Sequence, residues 1–434
     1  MSATRPILEL TVDSIAHGGV CVARHDGRVV FVSDAIPGER VRVQVTDDRH
    51  DRFWRAVVVE VVTASPDRHE HVWREASCGL APDNRVGGAE FGHIALPRQR
   101  LLKAEVVHDA LVRFAGIEQD VTVAAVRADG GLVGASVNGT LITADEVSEE
   151  GTGWRTRVRL HVAGDGLVGP YAARSHRVIP VASLPLAAPE LSELAPLGSR
   201  LDGVGEVRLT MTSCGQVSSV AVMRDELNRN KKTTSPVIVE QVGDRIFHLN
   251  RDGFWQVHRG AAVTLTTVVQ EMIDGQLVDP SASNLDLYGG VGLLAAAMGD
   301  QIGGSLKITS VESDAQAAEH AANNLAEWVG AHVVAARVDH YLADLASGMS
   351  RRAPLSSATI ILDPPRAGAG RSVVDHLAVL GARQIIYVAC DPVALARDAG
   401  LLGAHGYRLD ALRALDLFPH THHVEVVARF VRTD

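Results

Sequence analysis

Two rhythms of hydrophobic and polar positions divide this chain. Over residues 7 to about 64, apolar and polar residues alternate in short runs: "ILELTVDSIA", "GVCVARHDGRVVFVSDAIPGERVRVQVT" and "FWRAVVVEVVTA". A period of two predicts strands with one buried face. His17-Gly18-Gly19, Asp26-Gly27 and Pro37-Gly38 punctuate the runs with turn chemistry. About five short strands in so little chain predict a small closed barrel. From about residue 251 the rhythm changes. "SNLDLYGGVGLLAAAMG", "SLKITSVESDAQAAEHAANNLAEWVG", "HVVAARVDHYLADL", "SATIILDPPRAG" and "RQIIYVACDPVALARDAG" each open on a strand-like run and pass through a polar turn, most of them into a helical pattern. That alternation predicts a doubly wound parallel sheet.

Between these regions the pattern is mixed. Residues 66–95 are irregular. "LPRQRLLKAEVVHDALVRFAG" predicts a helix with Leu101, Val106, Ala110, Leu111 and Phe114 near one face and Gly116 as its stop. Strand-like runs return from 120 to about 250 with Gly-rich turns, which predicts a second, mostly antiparallel region.

Composition narrows the class. The chain has 434 residues, 46% hydrophobic and 22% charged, as in a globular protein of two or three domains. No apolar run approaches the ~18 residues that span a bilayer, and the start "MSATRPILELTVDS" lacks the apolar core of a signal peptide. The expectation is a cytoplasmic protein with no membrane partner. Cys21, Cys78, Cys214 and Cys390 are too scattered for a disulfide framework or a zinc ribbon. The net charge of −10 weighs against a uniformly basic surface, but a local basic groove is compatible with it. Lysine occurs only at Lys103, Lys231, Lys232 and Lys307, so any such groove is built from arginine.

In a parallel sheet, ligands bind beyond the carboxyl ends of the strands. Several polar residues fall there. Asp286 lies at a strand end before Gly289, Gly290 and Gly292, a turn that lets backbone approach a ligand but lacks the third glycine of a dinucleotide fingerprint. Glu312 ends the next strand, as a solvated carboxylate or as a clamp on two ribose hydroxyls. In "IILDPPRAGAG" two prolines stiffen the chain after Asp363, either as a plain connection or to aim Asp363 or Arg366 at a substrate. Cys390 in "YVACDPVALARD" stands at a strand's end before a proline-bearing turn, as packing or as a nucleophile. Glu425 lies inside the apolar run "HVEVVARFV". A carboxylate there is costly to bury unless paired or used, and burial raises its pKa toward that of a general base. His420, His422 and His423 match no familiar metal spacing, so no metal is expected.

Together these stretches resemble the RNA uracil-5-methyltransferases that use S-adenosylmethionine. The order of "DPPRAGAG", "YVACDPVALARD" and "FPHTHHVEVVARF" is the specific part, and the resemblance covers nearly the whole chain. It implies an α/β protein: an OB-like N-terminal β-barrel of the TRAM type, a central mostly antiparallel β domain, and a C-terminal Rossmann-like class I methyltransferase domain with a mostly parallel, doubly wound sheet. The implied domains are 1–65 for the RNA-binding barrel, 66–95 with 120–250 for the centre, and 96–119 with 251–434 for catalysis. The 96–119 helix is expected to dock on the catalytic domain. Cys390 would be the nucleophile and Glu425 the base, with Gln256 in "GFWQVHRGA", Tyr288, Glu312 and Asp363 binding S-adenosylmethionine.

Three departures qualify the resemblance. Leu293 stands where the family's turn usually carries Asn, and Asp391 stands where Asn usually follows the nucleophile. The stretch "SCGLAPDNRVGGAEFGH" offers only Cys78, whereas many members there supply the thiolates of an iron–sulfur cluster. Such a cluster needs four ligands, so none is expected here. With Asp391 beside it, Cys390 must find its thiolate stabilisation elsewhere, with Arg366, Arg397 or backbone N–H groups as candidates. The implied activity is methylation of carbon 5 of a uridine, in 23S rRNA rather than tRNA because the barrel resembles the ribosomal members, by a monomer. The alternatives are a tRNA uracil-5 enzyme and an amino-group methyltransferase of the adenine-N6 type, which "DPPR" loosely resembles and which needs no cysteine.

Overall fold

The computed structural model describes residues 6–133, 136–137, 140–141, 150–173, 175–229, 235–348 and 355–433. Lys231 and Lys232 lie outside them. Strands β1 (Ile7–Ala16), β2 (Val20–His25), β3 (Arg28–Ser33), β4 (Arg40–Asp47) and β5 (Phe53–Thr63) close into a barrel in the order β1-β2-β3-β5-β4. Alternation drives closure: Val41, Val43 and Val45 of β4 are buried, while Arg40 and Arg42 point out. Asp26 and Gly27 both adopt positive φ, 47° and 78°, the turn that joins two twisted strands over two residues.

Helix α1 (Leu96–Ala115) ends at Gly116, whose φ of 66° suits a left-handed cap. Its buried face differs from the one its apolar residues predict. Gln99, Leu102, Lys103, Val107, Ala110 and Leu111 face inward, whereas Leu101 and Phe114 are 58% and 48% exposed. Two polar side chains occupy core positions, so hydrophobicity alone misplaces the stripe by a residue.

Strands β6 (Val123–Val126) and β7 (Leu132–Val133) also depart from the expectation that 120–250 is one antiparallel region. They extend the sheet of the C-terminal region, with β6 pairing parallel to residues 414–416. The C-terminal edge strand would otherwise expose unpaired backbone there. Strands β8 (Ser136–Val137) and β9 (Thr140–Leu141) form a separate minimal pair. A four-stranded sheet follows, β10 (Arg157–Val162), β11 (Val168–Gly169), β12 (Val204–Met211) and β13 (Val217–Met223), with helices α2 (Pro189–Leu194) and α3 (Arg224–Asn228). The hairpin β14 (Val237–Val242) and β15 (Arg245–Asn250) buries Ile238, Val242, Phe247 and Leu249 in one of the two cores that flank the main sheet.

The remaining elements alternate: α4 (Ala261–Met272), β16 (Asn284–Leu287), α5 (Leu293–Ile302), β17 (Ile308–Glu312), α6 (Ala315–Asn324), β18 (Ala331–Ala335), α7 (Val338–Gly348), β19 (Thr359–Leu362), α8 (Gly370–Leu380), β20 (Gln384–Ala389), α9 (Pro392–Ala404), β21 (Tyr407–Asp416) and β22 (Glu425–Arg432). The nine-stranded order is β18-β17-β16-β19-β20-β22-β21-β6-β7, parallel from β18 through β20. Side chains of β20 divide between the faces. Ile386 and Val388 join the core with α4 and α5, while Ile385, Tyr387 and Ala389 join the core with α1, α8 and α9. Burial on both faces is why these strands read as continuous apolar runs. Among the described residues, no helix is long and apolar enough to cross a membrane.

The polar face of α1 pins the loop between β21 and β22. Lys103 Nζ is fully buried, 2.6 Å from Asp416 Oδ1 and 3.0 Å from the Phe418 carbonyl. Gln99 accepts from the His420 N–H at 2.8 Å, and His420 itself has a φ of 64°. Lys103→Ala leaves Asp416 buried without its partner, a change that costs about 3–5 kcal/mol. Its urea midpoint, followed by tryptophan fluorescence, should fall well below that of the native protein. Lys103→Met combined with Asp416→Leu removes both charges and should recover most of the loss.

Candidate active site

Gln256, Tyr288, Glu312, Asp363, Cys390 and Glu425 all line one open cleft of about 1450 Å³. Four of them owe this to parallel strands: Tyr288 follows β16, Glu312 ends β17, Asp363 follows β19 and Cys390 follows β20, all at carboxyl ends. Glu425 arrives differently. It opens β22, which runs antiparallel to β20 with Ala389 opposite Val426. Cys390 and Glu425 therefore sit beside the last pair of that register, at the same end of the sheet, and both line the cleft. Gln256 enters from the segment between β15 and α4, beside buried Trp255.

The turn after β16 is shaped for close approach. Tyr288 has a φ of 62°, unusual for a residue with a side chain, and Gly290 and Gly292 follow at 56° and 92°. A side chain at Gly289 would collide with the Ser310 hydroxyl and the Asp286 carboxylate. Glu312 closes this turn: Oε2 accepts from the Gly290 N–H at 3.0 Å, and Oε1 from the Asp314 N–H at 2.7 Å and the Ser313 hydroxyl at 3.1 Å. Leu293 opens α5 as a buried apolar residue, 8% exposed.

Glu312, Asp363 and Glu425 line the cleft, and Asp286 is buried behind the glycine turn that borders it. Burial pushes Asp286 up to about 7, with Glu312 adding to the rise and the Ser310 hydroxyl, 2.9 Å away, opposing it. Asp363 retains a little accessible surface, yet its carboxyl lies deep among protein atoms. Burial and then the Asp286 charge raise it to about 7. Glu425 is raised well above the ordinary carboxylate range, first by burial and then by Asp363, with Arg366 pulling the other way. The Cys390 thiol is pushed up to about 12 by burial, Glu425 and Asp363, again opposed by Arg366. Arg366 therefore favours the thiolate. Arg397 does not share that role, because its Nε donates to the Val393 carbonyl on the exposed side of α9.

The three histidines of the 416–425 stretch diverge. His420 meets the Glu150 carbonyl and Gln99, His422 lies 3.5 Å from Glu90, and His423 lies 3.3 Å from Arg366.

One positioning carboxylate escaped the reading of motifs. Asp398 of α9 is buried and accepts from the Ala369 N–H at 2.7 Å, the Gly370 N–H at 3.2 Å and the Tyr387 hydroxyl at 2.7 Å. It ties the loop after Asp363 to the strand and helix that flank Cys390. The available signal was an acidic residue in the otherwise apolar stretch "ALARDAG", the same signal that singled out Glu425.

Comparison with known proteins places these features in context. Residues 4–59 match the TRAM domain family, and residues 350–432 match the family described as tRNA (Uracil-5-)-methyltransferase. An uncharacterized RNA methyltransferase of Streptomyces coelicolor is 37% identical, over 97% of this chain and 92% of its own. A 23S rRNA (uracil(1939)-C(5))-methyltransferase of Shewanella sp. is 28% identical, over 98% of this chain and 96% of its own. The fold is similar to that of the Pyrococcus abyssi tRNA (uracil-54, C5)-methyltransferase solved with S-adenosyl-L-homocysteine, with a TM-score of 0.65 and 21% identity over 98% of this chain and 100% of that one. A TRAM-type barrel, a methyltransferase sheet and near full-length relatives thus agree with the cleft's own chemistry: this chain belongs to the RNA uracil-5-methyltransferase family.

Proposed function

We propose that this enzyme methylates carbon 5 of one uridine in 23S rRNA through a covalent bond between Cys390 and uracil carbon 6. The observation that carries this reading is that Cys390 and Glu425 flank the last pair of the β20–β22 register and line the same cleft. The preference for ribosomal over transfer RNA rests on the TRAM-type barrel and on similarity to the Shewanella enzyme over almost the whole chain.

The cleft fits S-adenosylmethionine. Its lining acids Asp363 and Glu312, with Asp286 buried behind the glycine turn, complement a cation, and Gly289 and Gly290 present bare backbone to the cleft. Tyr288, Glu312, Asp363 and Gln256 would hold it. Bound there, it supplies a methyl group carried on positively charged sulfur.

The residues of the chain divide the rest of the chemistry. Carbon 5 of uracil is a weak nucleophile. Addition of the Cys390 thiolate forms the S–C6 bond and moves the ring electrons toward carbon 5 and the carbonyl oxygen, as an enolate. Once carbon 5 carries the methyl group, its remaining proton must leave. Glu425 takes that proton, the ring double bond re-forms, and the S–C6 bond breaks to return the thiolate. Glu425 must therefore be ionised when it acts, and Arg366 favours that state. The same guanidinium favours ionised Cys390. The target uridine has to leave its stack, which costs a few kcal/mol in a helix and less in a loop.

We also propose that the 66–95 segment folds without an iron–sulfur cluster. Arg85 is buried there and donates to the Leu80, Cys78 and Val58 carbonyls at 2.9–3.0 Å and to Asp34 at 2.6 Å. These bonds tie the segment to the barrel, and Cys78 packs against the barrel core as a small apolar group.

Four outcomes are expected. Cys390→Ala should abolish methylation and form no protein–RNA complex. Glu425→Gln should accumulate a methylated covalent complex, seen as a shifted band in denaturing electrophoresis, with 23S rRNA fragments but not with tRNA. Near-normal methyl transfer by Cys390→Ala would favour the amino-group chemistry instead. Glu312→Ala should weaken S-adenosylmethionine binding in calorimetry by about 1.5–3 kcal/mol, the value of a hydrogen bond to a charged group. Three of the roughly four acceptor sites of Glu312 are taken internally, one by the rotatable Ser313 hydroxyl, so room remains for ribose hydroxyls. Anaerobically purified protein should contain no stoichiometric iron and lack the visible absorbance of a cluster; about four irons per chain would overturn that proposal.

A further inference from the structure

The first turn of the barrel reaches the segments that carry Cys390 and Glu425. His17-Gly18-Gly19 joins β1 to β2, with positive φ of 84° and 73° at the two glycines. A side chain on Gly19 would come within 2.6 Å of His422 Cβ and 3.2 Å of the Phe91 ring, so the turn is seated against the loop that leads to Glu425. Glu90 and Phe91 complete that contact: Glu90 lies 3.5 Å from His422, and the Phe91 N–H donates to the His420 carbonyl at 2.9 Å. On its other side the same turn reaches the segment of the nucleophile. His17 Nε2 lies 3.2 Å from Oδ2 of Asp391, the residue after Cys390.

Asp391 has two tasks, one for each oxygen. Oδ1 caps α9 by accepting from the Val393 N–H at 3.0 Å and the Ala394 N–H at 2.9 Å. Oδ2 faces His17. An uncompensated carboxylate one residue from Cys390 would oppose formation of the thiolate, because like charges disfavour ionisation. A neutral side-chain amide would cap the helix without that effect. The carboxylate therefore requires a donor, and the barrel turn supplies one. With Nε2 protonated, His17 donates to Oδ2 in either the neutral or the charged ring. The groups that act most directly on the thiol are Glu425 and Asp363, which oppose ionisation, and Arg366, which favours it. The surroundings of Cys390 thus already disfavour its thiolate, so a further unpaired carboxylate would matter.

We infer that His17 is a positioning residue for the nucleophile: it binds Asp391 from the barrel, absorbs the carboxylate's charge beside Cys390, and makes the barrel a structural part of the active site. This inference rests on Cys390 being the nucleophile. It assigns the TRAM-type barrel a role in the chemical step that is separate from holding RNA.

The test is the rate of covalent complex formation with RNA carrying 5-fluorouridine, in single turnovers at saturating S-adenosylmethionine, alongside calorimetric affinity for the cofactor. Fluorine cannot leave as a cation, so the complex persists. His17→Ala should form it about tenfold more slowly at neutral pH, the change expected when a mostly protonated thiol gains about one pKa unit. Its cofactor affinity should be unchanged. Adding Asp391→Asn to His17→Ala should restore the rate, because the amide still caps α9 and no charge is left beside the thiol. A rate for His17→Ala equal to the native rate would overturn the inference. So would a double variant as slow as His17→Ala, since loss of a purely structural contact is not repaired by removing a charge. If the native protein forms no complex, the covalent reading itself fails, and that result is distinct from either of the others.

Discussion

A carboxylate buried at the start of an apolar strand depends on how the chain leading into it is held, and here two polar residues of a helix nearly 320 positions earlier hold it. Lys103 and Gln99 lie one turn apart on α1 and reach Asp416, the Phe418 carbonyl and the His420 backbone from inside the protein. A lysine with no accessible surface is tolerated because its ammonium meets a carboxylate at 2.6 Å and a carbonyl at 3.0 Å. Burial alone pulls it below the usual lysine range, and the Asp416 charge opposes that shift. With the loop held, β22 enters the sheet with Val426 opposite Ala389, which brings Glu425 and Cys390 to the same end of the sheet.

The same logic of compensated burial recurs on the other side of Cys390. Asp398 satisfies two backbone N–H groups at the start of α8 and the Tyr387 hydroxyl, so it ties the loop after Asp363 to α9 and β20. A side chain on Gly368, with its φ of 85°, would come within 2.7 Å of the Asp398 carboxylate, so loop and carboxylate are fitted to each other. The acids of the cleft are different. Burial raises Asp286 and Asp363, Asp286 adds to the rise at Asp363, and Glu425 and the thiol rise through burial and the acids beside them. Buried charge of one sign is unfavourable by itself, and a positively charged ligand is its natural complement.

The barrel is joined to the rest of the molecule by buried ion pairs rather than by an apolar seam alone. Glu39 has no accessible surface and is met by Arg68 at 2.6 and 2.8 Å, while Arg85 meets Asp34 at 2.6 Å. Each pair links the barrel to the irregular 66–95 segment. Removing one partner of such a pair leaves a stranded charge, so the segment is specified sharply without regular secondary structure.

Much of this was legible in the sequence. Period-two alternation and turn residues determine the barrel, and the strand–turn–helix rhythm determines the parallel sheet, because both patterns report which face of a local element is buried. The strand ends where Tyr288, Glu312, Asp363 and Cys390 lie follow from the same rule, and an acid in an apolar run marked Glu425. What the sequence did not reveal is non-local. Residues 123–133 contain nothing to say that they complete the main sheet rather than a central one, since that depends on the free edge of β21. The inward face of α1 was misplaced because Gln99 and Lys103 are polar, and only partners some 315 residues away make their burial favourable. Asp398 carried a local signal whose meaning depended on which loop lay opposite, and His17 carried none. Hydrophobic periodicity records that a position is buried; only the tertiary structure decides which hydrogen-bond partner makes a polar group's burial possible.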